Sequence, residues 1–161
     1  MLIHQPVLAD GGGGGSSDAI KCNSGWVWDK KQRKCVRQSS ENVEDGDLLD
    51  SAIAFANGGR YDDAISALHL IGDTSDPEVW NYLGFATRKS GDLKGGLAYY
   101  RKALEVDPDY TLARAYMGEA FLTAGDRPAA VAQLREIERR DGRQGRAYTY
   151  LASALENQRQ Y

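Results

Sequence analysis

Two cysteines are the side chains in this sequence with the clearest capacity for chemistry. Cys22 and Cys35 lie 13 residues apart near the N-terminus, and the rest of the chain has none. This spacing is too long for the C-x-x-C motif of redox-active dithiols. A zinc site would need more ligands, and the two histidines, His4 and His69, lie in different parts of the chain. A disulfide is therefore favoured over a metal site, and it implies an oxidising compartment.

The other polar residues form no recognisable catalytic pattern. The sequence has no paired carboxylates, no metal-ligand spacing and no nucleophile turn. The glycine block Gly11 to Gly15 is not a phosphate loop, because no strand precedes it and no Gly-Lys-Ser/Thr follows it. His69 falls on a helical segment, where a packing or surface role is expected. We therefore predict that the protein is not an enzyme and needs no cofactor.

The segment between the cysteines has the pattern of a small β-hairpin. Trp26-Val27-Trp28 has strand character, residues 29–32 can turn and residues 34–36 can return. A disulfide would staple this segment, which is too small for a core of its own. We expect its tryptophans to be exposed near the basic residues Lys30, Lys31, Arg33, Lys34 and Arg37. The segment would then dock on a glycan, a cell-envelope polymer or an anionic surface, or it is a stapled ornament whose charges keep it soluble.

The first 18 residues are predicted to form a flexible leader. Their glycine block and the following Ser16-Ser17 cannot hold a fixed conformation. Val7-Leu8-Ala9 resembles the small-residue end of a signal peptide, although no positive start and no adequate apolar run precede it. An unstructured leader and a clipped signal peptide both stay open. Together with the cysteines, this segment favours a periplasmic or otherwise exported protein, with the cytoplasm as the alternative.

The bulk composition argues against two classes of partner. The net charge of −3 and a pI of about 5.4 provide no basic field for nucleic acid. No apolar run approaches the roughly 18 residues that a bilayer-spanning helix needs, so no transmembrane segment is predicted. The 42% hydrophobic and 27% charged residues are ordinary for a globular protein, which indicates a folded chain.

A helical pattern begins at about residue 47 and repeats along the rest of the chain. A shift of 34 residues pairs Leu83 with Met117 and Gly84 with Gly118. Toward the N-terminus the offset falls to about 32, with the missing residues in a turn. The repeat also carries one residue type in register through Tyr82, Tyr116 and Tyr150.

These repeats resemble the tetratricopeptide repeat family, of bacterial type. The copy at 77–110 has the family's residues in their places: Trp80, Leu83, Gly84, Ala86, Gly91, Asp92, Tyr100, Ala103 and Pro108. It departs at Gly96, where the family prefers alanine on the second helix. In Gly84 and Gly118, a mid-helix glycine suggests that a neighbouring helix passes too close for a side chain.

The resemblance implies an all-α, tetratricopeptide-like α-solenoid of about three helix-turn-helix repeats plus a C-terminal capping helix. The array would occupy residues 47–161, after the leader (1–18), the cysteine-bracketed hairpin (19–37) and a linker (38–46). Its repeats are expected at about 45–76, 77–110 and 111–144, and the capping helix at 145–157. Short arrays can also pair through a terminal helix, so a homo-oligomer through the C-terminal helix is possible.

The resemblance also implies a peptide-binding concave surface lined by the first helix of each repeat. The residues expected there are Asn81, Tyr82, Phe85, Arg88, Lys89, Tyr116, Glu119 and Tyr150. The recurring tyrosines have two interpretations, contact with a ligand or a structural seam in which they stack on each other. The lysine and asparagine set with which some family members grip a C-terminal carboxylate is incomplete, so that specificity is not expected.

The leading functional hypothesis is therefore a non-catalytic scaffold that binds a peptide or partner protein. The alternative places function in the cysteine hairpin, with the repeats as a holder or oligomerisation module.

Overall fold

The computed structural model of the chain describes residues 18–39 and 41–158. After a 3₁₀ turn at Ala19–Lys21 come two antiparallel strands, β1 (Trp26–Asp29) and β2 (Lys34–Arg37). The helices that follow are α1 (Asp45–Asn57), α2 (Tyr61–Leu68), α3 (Pro77–Lys89), α4 (Leu93–Val106), α5 (Thr111–Thr123), α6 (Arg127–Asp141) and α7 (Arg146–Asn157). Apart from Asp18, the predicted leader lies outside the described residues.

The helices pack as consecutive pairs in a continuous stack. α1 packs on α2, α3 on α4 and α5 on α6, while α7 packs on both α5 and α6. Neighbouring pairs are joined by contacts between successive first helices, α1 with α3, α3 with α5 and α5 with α7. This arrangement confirms the predicted all-α solenoid of three helix pairs with a terminal helix.

Local sequence signals fix the ends of the helices. The side chain of Asp92 accepts a hydrogen bond from the Gly95 N–H at 2.8 Å, so it caps α4, and Asp126 caps α6 in the same way. The first helices of the pairs end just before Gly59, Gly91 and Gly125, whose φ angles are +78°, +114° and +80°. These left-handed conformations favour glycine, which explains the residue type at the three turns.

The crossing of α3 and α4 is unusually close. A Cβ atom built on Gly84 would lie 2.7 Å from the ring of Tyr100 and 3.0 Å from the carbonyl oxygen of Gly96. A Cβ on Gly96 would in turn lie 2.9 Å from the Gly84 oxygen. The prediction of a close helix at Gly84 is confirmed, and the same contact explains why Gly96 stands where the family prefers alanine.

The hairpin packs against α1. A disulfide joins Cys22 to Cys35 across it, as predicted, with the two Cα atoms 5.6 Å apart. Val27 is 0% exposed and joins the buried residues of α1 in one core. The expectation of exposed tryptophans is wrong, because Trp26 and Trp28 are half-buried and pack against this core. The hairpin is thus part of the folded array.

Candidate partner-binding site

The predicted contact residues lie on three successive first helices, α3, α5 and α7. Apart from Asn81, they are joined by contacts into one group. The aromatic rings of this group, together with Tyr100 of α4, form what we call the aromatic cluster: Tyr82, Phe85, Tyr100, Tyr116 and Tyr150. Tyr116 is the centre of the cluster, since Phe85, Tyr100 and Tyr150 all contact its ring, and Phe85 also contacts Tyr82 and Arg88.

Ring contacts in the aromatic cluster run from repeat to repeat. The ring centroids of Phe85 and Tyr116 are 5.3 Å apart, and those of Tyr116 and Tyr150 are 5.7 Å apart in an edge-to-face arrangement. Tyr100 of α4 contacts Tyr116 from the side of the second helices. Such ring pairs contribute about 0.5–1.5 kcal/mol each beyond the area they bury. The contacts correspond to the structural-seam interpretation of the recurring tyrosines.

An ion pair lies beside the aromatic cluster and links the second and third repeats. Nη2 of Arg88 is 2.5 Å from Oε2 of Glu119, and the two side chains are only 6% and 14% exposed. Nε of Arg88 also donates to the Tyr100 hydroxyl at 3.4 Å. Burial alone would lower the pKa of Arg88, but Tyr100 and Glu119 outweigh it and raise that pKa above its usual value. The guanidinium is therefore permanently charged in this position.

Buried tyrosine hydroxyls surround this ion pair. Burial raises the pKa of Tyr100 to about 12, against the opposing effect of Arg88. Burial also raises the pKa of Tyr116 and of Tyr150, and the carboxylate of Glu119 adds to the effect at Tyr150. The hydroxyls are therefore neutral at physiological pH and serve as hydrogen-bonding groups.

Asn81 is a buried polar residue whose side-chain amide lacks hydrogen-bond partners within the described residues. Its side chain is 0% exposed, and neither its amide nitrogen nor its amide oxygen has a hydrogen-bond partner among the described residues. A buried amide without partners costs about 1–3 kcal/mol relative to a satisfied one. Such a group calls for a specific explanation.

The accessible part of the predicted set is small. Lys89 is exposed, with its Nζ 5.7 Å from the Phe85 ring centroid, and Glu119 and Tyr150 are half-buried. We call these three residues the rim. The other five are buried: Asn81, Tyr82, Phe85, Arg88 and Tyr116. The expectation that all eight residues face an open surface thus does not match their packing, and their contact with a partner stays a prediction.

Sequence reasoning missed the residues that hold the hairpin on α1. The N–H of Trp28 donates to Oγ of Ser51 at 3.0 Å, and the N–H of Lys30 donates to Oδ2 of Asp47 at 3.3 Å. The ammonium group of Lys30 pairs with Asp50 and lies 3.9 Å from Asp47. We call these interactions the docking contacts. One positive charge of the hairpin, that of Lys30, therefore binds α1 of the same chain.

A signal for the docking contacts exists in the repeat pattern. With the offset of about 32 residues, Asp47 and Ser51 align with Val79 and Leu83 of α3. These apolar residues are buried, yet their counterparts on α1 are polar and also buried. Because β1 presents backbone N–H groups rather than another apolar helix, polar residues at these positions are the complementary choice.

No metal site or membrane span was found in the described part of the chain. Among residues 18–39 and 41–158, no three His, Cys, Asp or Glu side chains come together in a way that could hold a metal ion. None of the helices in these residues has the length and apolar character needed to cross a membrane.

Comparisons with known proteins agree with the repeat architecture. A family model described as tetratricopeptide repeat matches residues 88–156, from the end of α3 to α7. A crystal structure of MamA superposes with a TM-score of 0.58 at 15% sequence identity, covering 75% of this chain and 84% of that one. A second MamA structure gives a TM-score of 0.59 at 21% identity, covering 71% of this chain and 63% of that one. At these identities the likeness concerns the fold alone, and no curated protein matches the sequence.

Proposed function

We propose that the chain, of which residues 88–156 match a tetratricopeptide-repeat model, is a non-catalytic scaffold that binds a peptide or partner protein on its first helices. A fold of this kind generally serves protein interaction, and stacked repeats present an extended surface for it. The observation that carries the proposal is the rim, where an exposed Lys89 and the half-buried Glu119 and Tyr150 lie on three successive first helices above a rigid support.

The chemistry of the rim suits a polypeptide. Tyr150 offers a rigid ring with a polar tip, which is a favoured contact residue at protein interfaces. Lys89 adds an exposed positive charge, whereas the charge of Glu119 is already paired with Arg88, so the rim favours a partner that brings a negative charge to Lys89.

We further propose that the protein works in the periplasm or another oxidising compartment. A disulfide is compatible with export, since thiols in reducing compartments are kept reduced. The hairpin alternative, in which the exposed Arg33 and Lys34 bind an anionic polymer, is weakened because Lys30 is engaged with α1 and both hairpin tryptophans are partly covered.

The test is affinity capture from the native host with paired variants. In the first variant, Lys89→Glu and Tyr150→Ala alter the rim. In the matched control, Lys94→Glu and Tyr148→Ala make the same changes away from it. Both must keep the helical circular dichroism of the wild type before capture is compared.

The proposal predicts one protein retained by the wild type and the control but lost by the rim variant. Equal retention by all three contradicts the rim as the binding surface. If that partner is then lost when Arg33→Glu and Lys34→Glu are introduced, function lies in the hairpin. Substitution is preferable to deletion of residues 1–40 here, because deletion would also uncover α1.

A further inference from the structure

The disulfide lies at the point where the N-terminal end of the array is closed. The hairpin rests on α1 through Asp47 and Ser51, which align in the repeat with Val79 and Leu83 of α3. Arg60, at the turn between α1 and α2, donates to the Cys22 carbonyl oxygen at 2.7 Å. Ser24 reaches Asp63 of α2 at 3.2 Å. We call residues 19–37, which include the hairpin, the cap. The disulfide joins β2 to the segment that precedes β1, and the cap is bound to the first repeat.

The cap is weak without its crosslink. A two-stranded hairpin is at best marginally stable in water by itself. Each strand here has four residues, and the cap is held on α1 by the buried side chain of Val27, the partly covered tryptophans, the docking contacts and the ion pair of Lys31 with Glu44. The loop closed by Cys22 and Cys35 spans 13 residues, a size at which a disulfide contributes a large share of the stability of such a unit.

The face of α1 beneath the cap is partly polar. Asp47 and Ser51, which the cap buries, are polar and regain hydrogen bonds to water when β1 leaves. The corresponding residues of α3, Val79 and Leu83, are apolar and would not. Undocking of the cap therefore exposes Val27 but lets these polar groups regain water, and it leaves the packing of α3 through α7 in place.

We propose that the Cys22–Cys35 disulfide is a redox switch for the N-terminal cap: its reduction undocks the hairpin from α1 while the rest of the array stays folded. The proposal does not depend on the binding surface described above. A dithiol reductant supplies two electrons and two protons, the S–S bond breaks, each sulfur becomes a thiol, and the reductant leaves as its own disulfide. Undocking uncovers Asp47 and Asp50 and leaves an acidic face on α1.

Amide hydrogen exchange of the full chain, followed by NMR before and after reduction with dithiothreitol, tests this switch. The amides of Trp28 and Lys30 are the reporters, because they donate the docking hydrogen bonds. We expect their exchange to accelerate about a hundredfold on reduction, while amides of α5 such as Tyr116 keep their rates. Reoxidation should restore the original protection.

A Cys22→Ser, Cys35→Ser double variant is the control for effects of the reductant. Without reductant it should show the fast exchange of Trp28 and Lys30, and adding reductant should change nothing further. Unchanged exchange of the reporters after reduction overturns the proposal. So does loss of protection throughout α3 to α7, in the reduced protein or in the double variant, because the disulfide would then stabilise the whole fold.

Discussion

At the scale of single residues, the second and third repeats are linked by the buried ion pair of Arg88 with Glu119. It joins helices through residues that are 31 positions apart in sequence, within a largely desolvated environment. Removing one partner of a buried pair leaves the other charge uncompensated, whereas replacing both with apolar residues is often neutral. The pair therefore sets the relative position of the second and third repeats more than it adds net stability.

We predict that Glu119→Gln lowers the free energy of unfolding by about 3 kcal/mol, because Arg88 stays buried without a counter-charge. The double variant Arg88→Met, Glu119→Leu should recover most of this loss. Urea denaturation measures both, and Glu105→Gln, at an exposed glutamate of α4, is the matched control. A loss at Glu119 no larger than that of the control would show that the pair is solvated.

The buried hydroxyl of Tyr100 makes stability depend on alkaline pH. Its pKa in the folded protein is about 12, whereas an unfolded tyrosine titrates at about 10. Below pH 10 both states are protonated and the protein has its full stability. As the pH rises toward 12, the unfolded state loses the proton first, so stability falls across this window.

Tyr100→Phe should therefore flatten the decline of stability between about pH 10 and pH 12, by an amount of order 2 kcal/mol. Tyr148→Phe, at a half-buried tyrosine of α7, should leave the decline unchanged. Denaturant unfolding at a series of pH values measures the slope. Parallel slopes for wild type and Tyr100→Phe would contradict a raised pKa at Tyr100.

The close packing of α3 on α4 depends on glycines at the point where the two helices cross. Gly84 and Gly96 face each other across the crossing, so the two backbones approach more closely than alanine would permit. This approach places Tyr100 over α3, where its hydroxyl meets Arg88. The geometry of the aromatic cluster is therefore set by two glycines that make no polar contact with it.

We predict that Gly84→Ala destabilises the protein by about 1–3 kcal/mol, because overpacking exceeds the gain in helix propensity. Gly46→Ala is the matched control, since Gly46 lies in α1 and a Cβ atom built there would meet no packed neighbour within 4 Å. That substitution should stabilise the protein by up to about 1 kcal/mol. Thermal unfolding distinguishes the two. Stabilisation by both substitutions would mean that the crossing has room for a methyl group.

The helices and turns were predictable because their signals are local. Gly91 marks the end of α3 and Asp92 the start of α4, and similar residues recur at the same places in the other repeats. The burial of Arg88 was not predictable, since it depends on the distance between α3 and α5, and that distance cannot be read from the sequences of the two helices. The docking of the hairpin was missed even though Asp47 and Ser51 break the apolar pattern of the repeat.

At the scale of the molecule, charge is distributed unevenly between the cap and the array. Residues 19–37 contain six basic residues and one acidic residue, although the whole chain has a net charge of −3. The start of α1 is acidic, and Lys30 and Lys31 pair with Asp50 and Glu44 there. The cap is thus electrostatically complementary to the end of the array that it covers.

The most direct test of this account is a hydrogen-exchange map of the chain with and without its captured partner. The account predicts slower exchange in α3, α5 and α7, centred on Lys89, Glu119 and Tyr150, with little change in α4 and α6. Protection confined to β2, or to the second helices of the repeats, would contradict binding on the first helices.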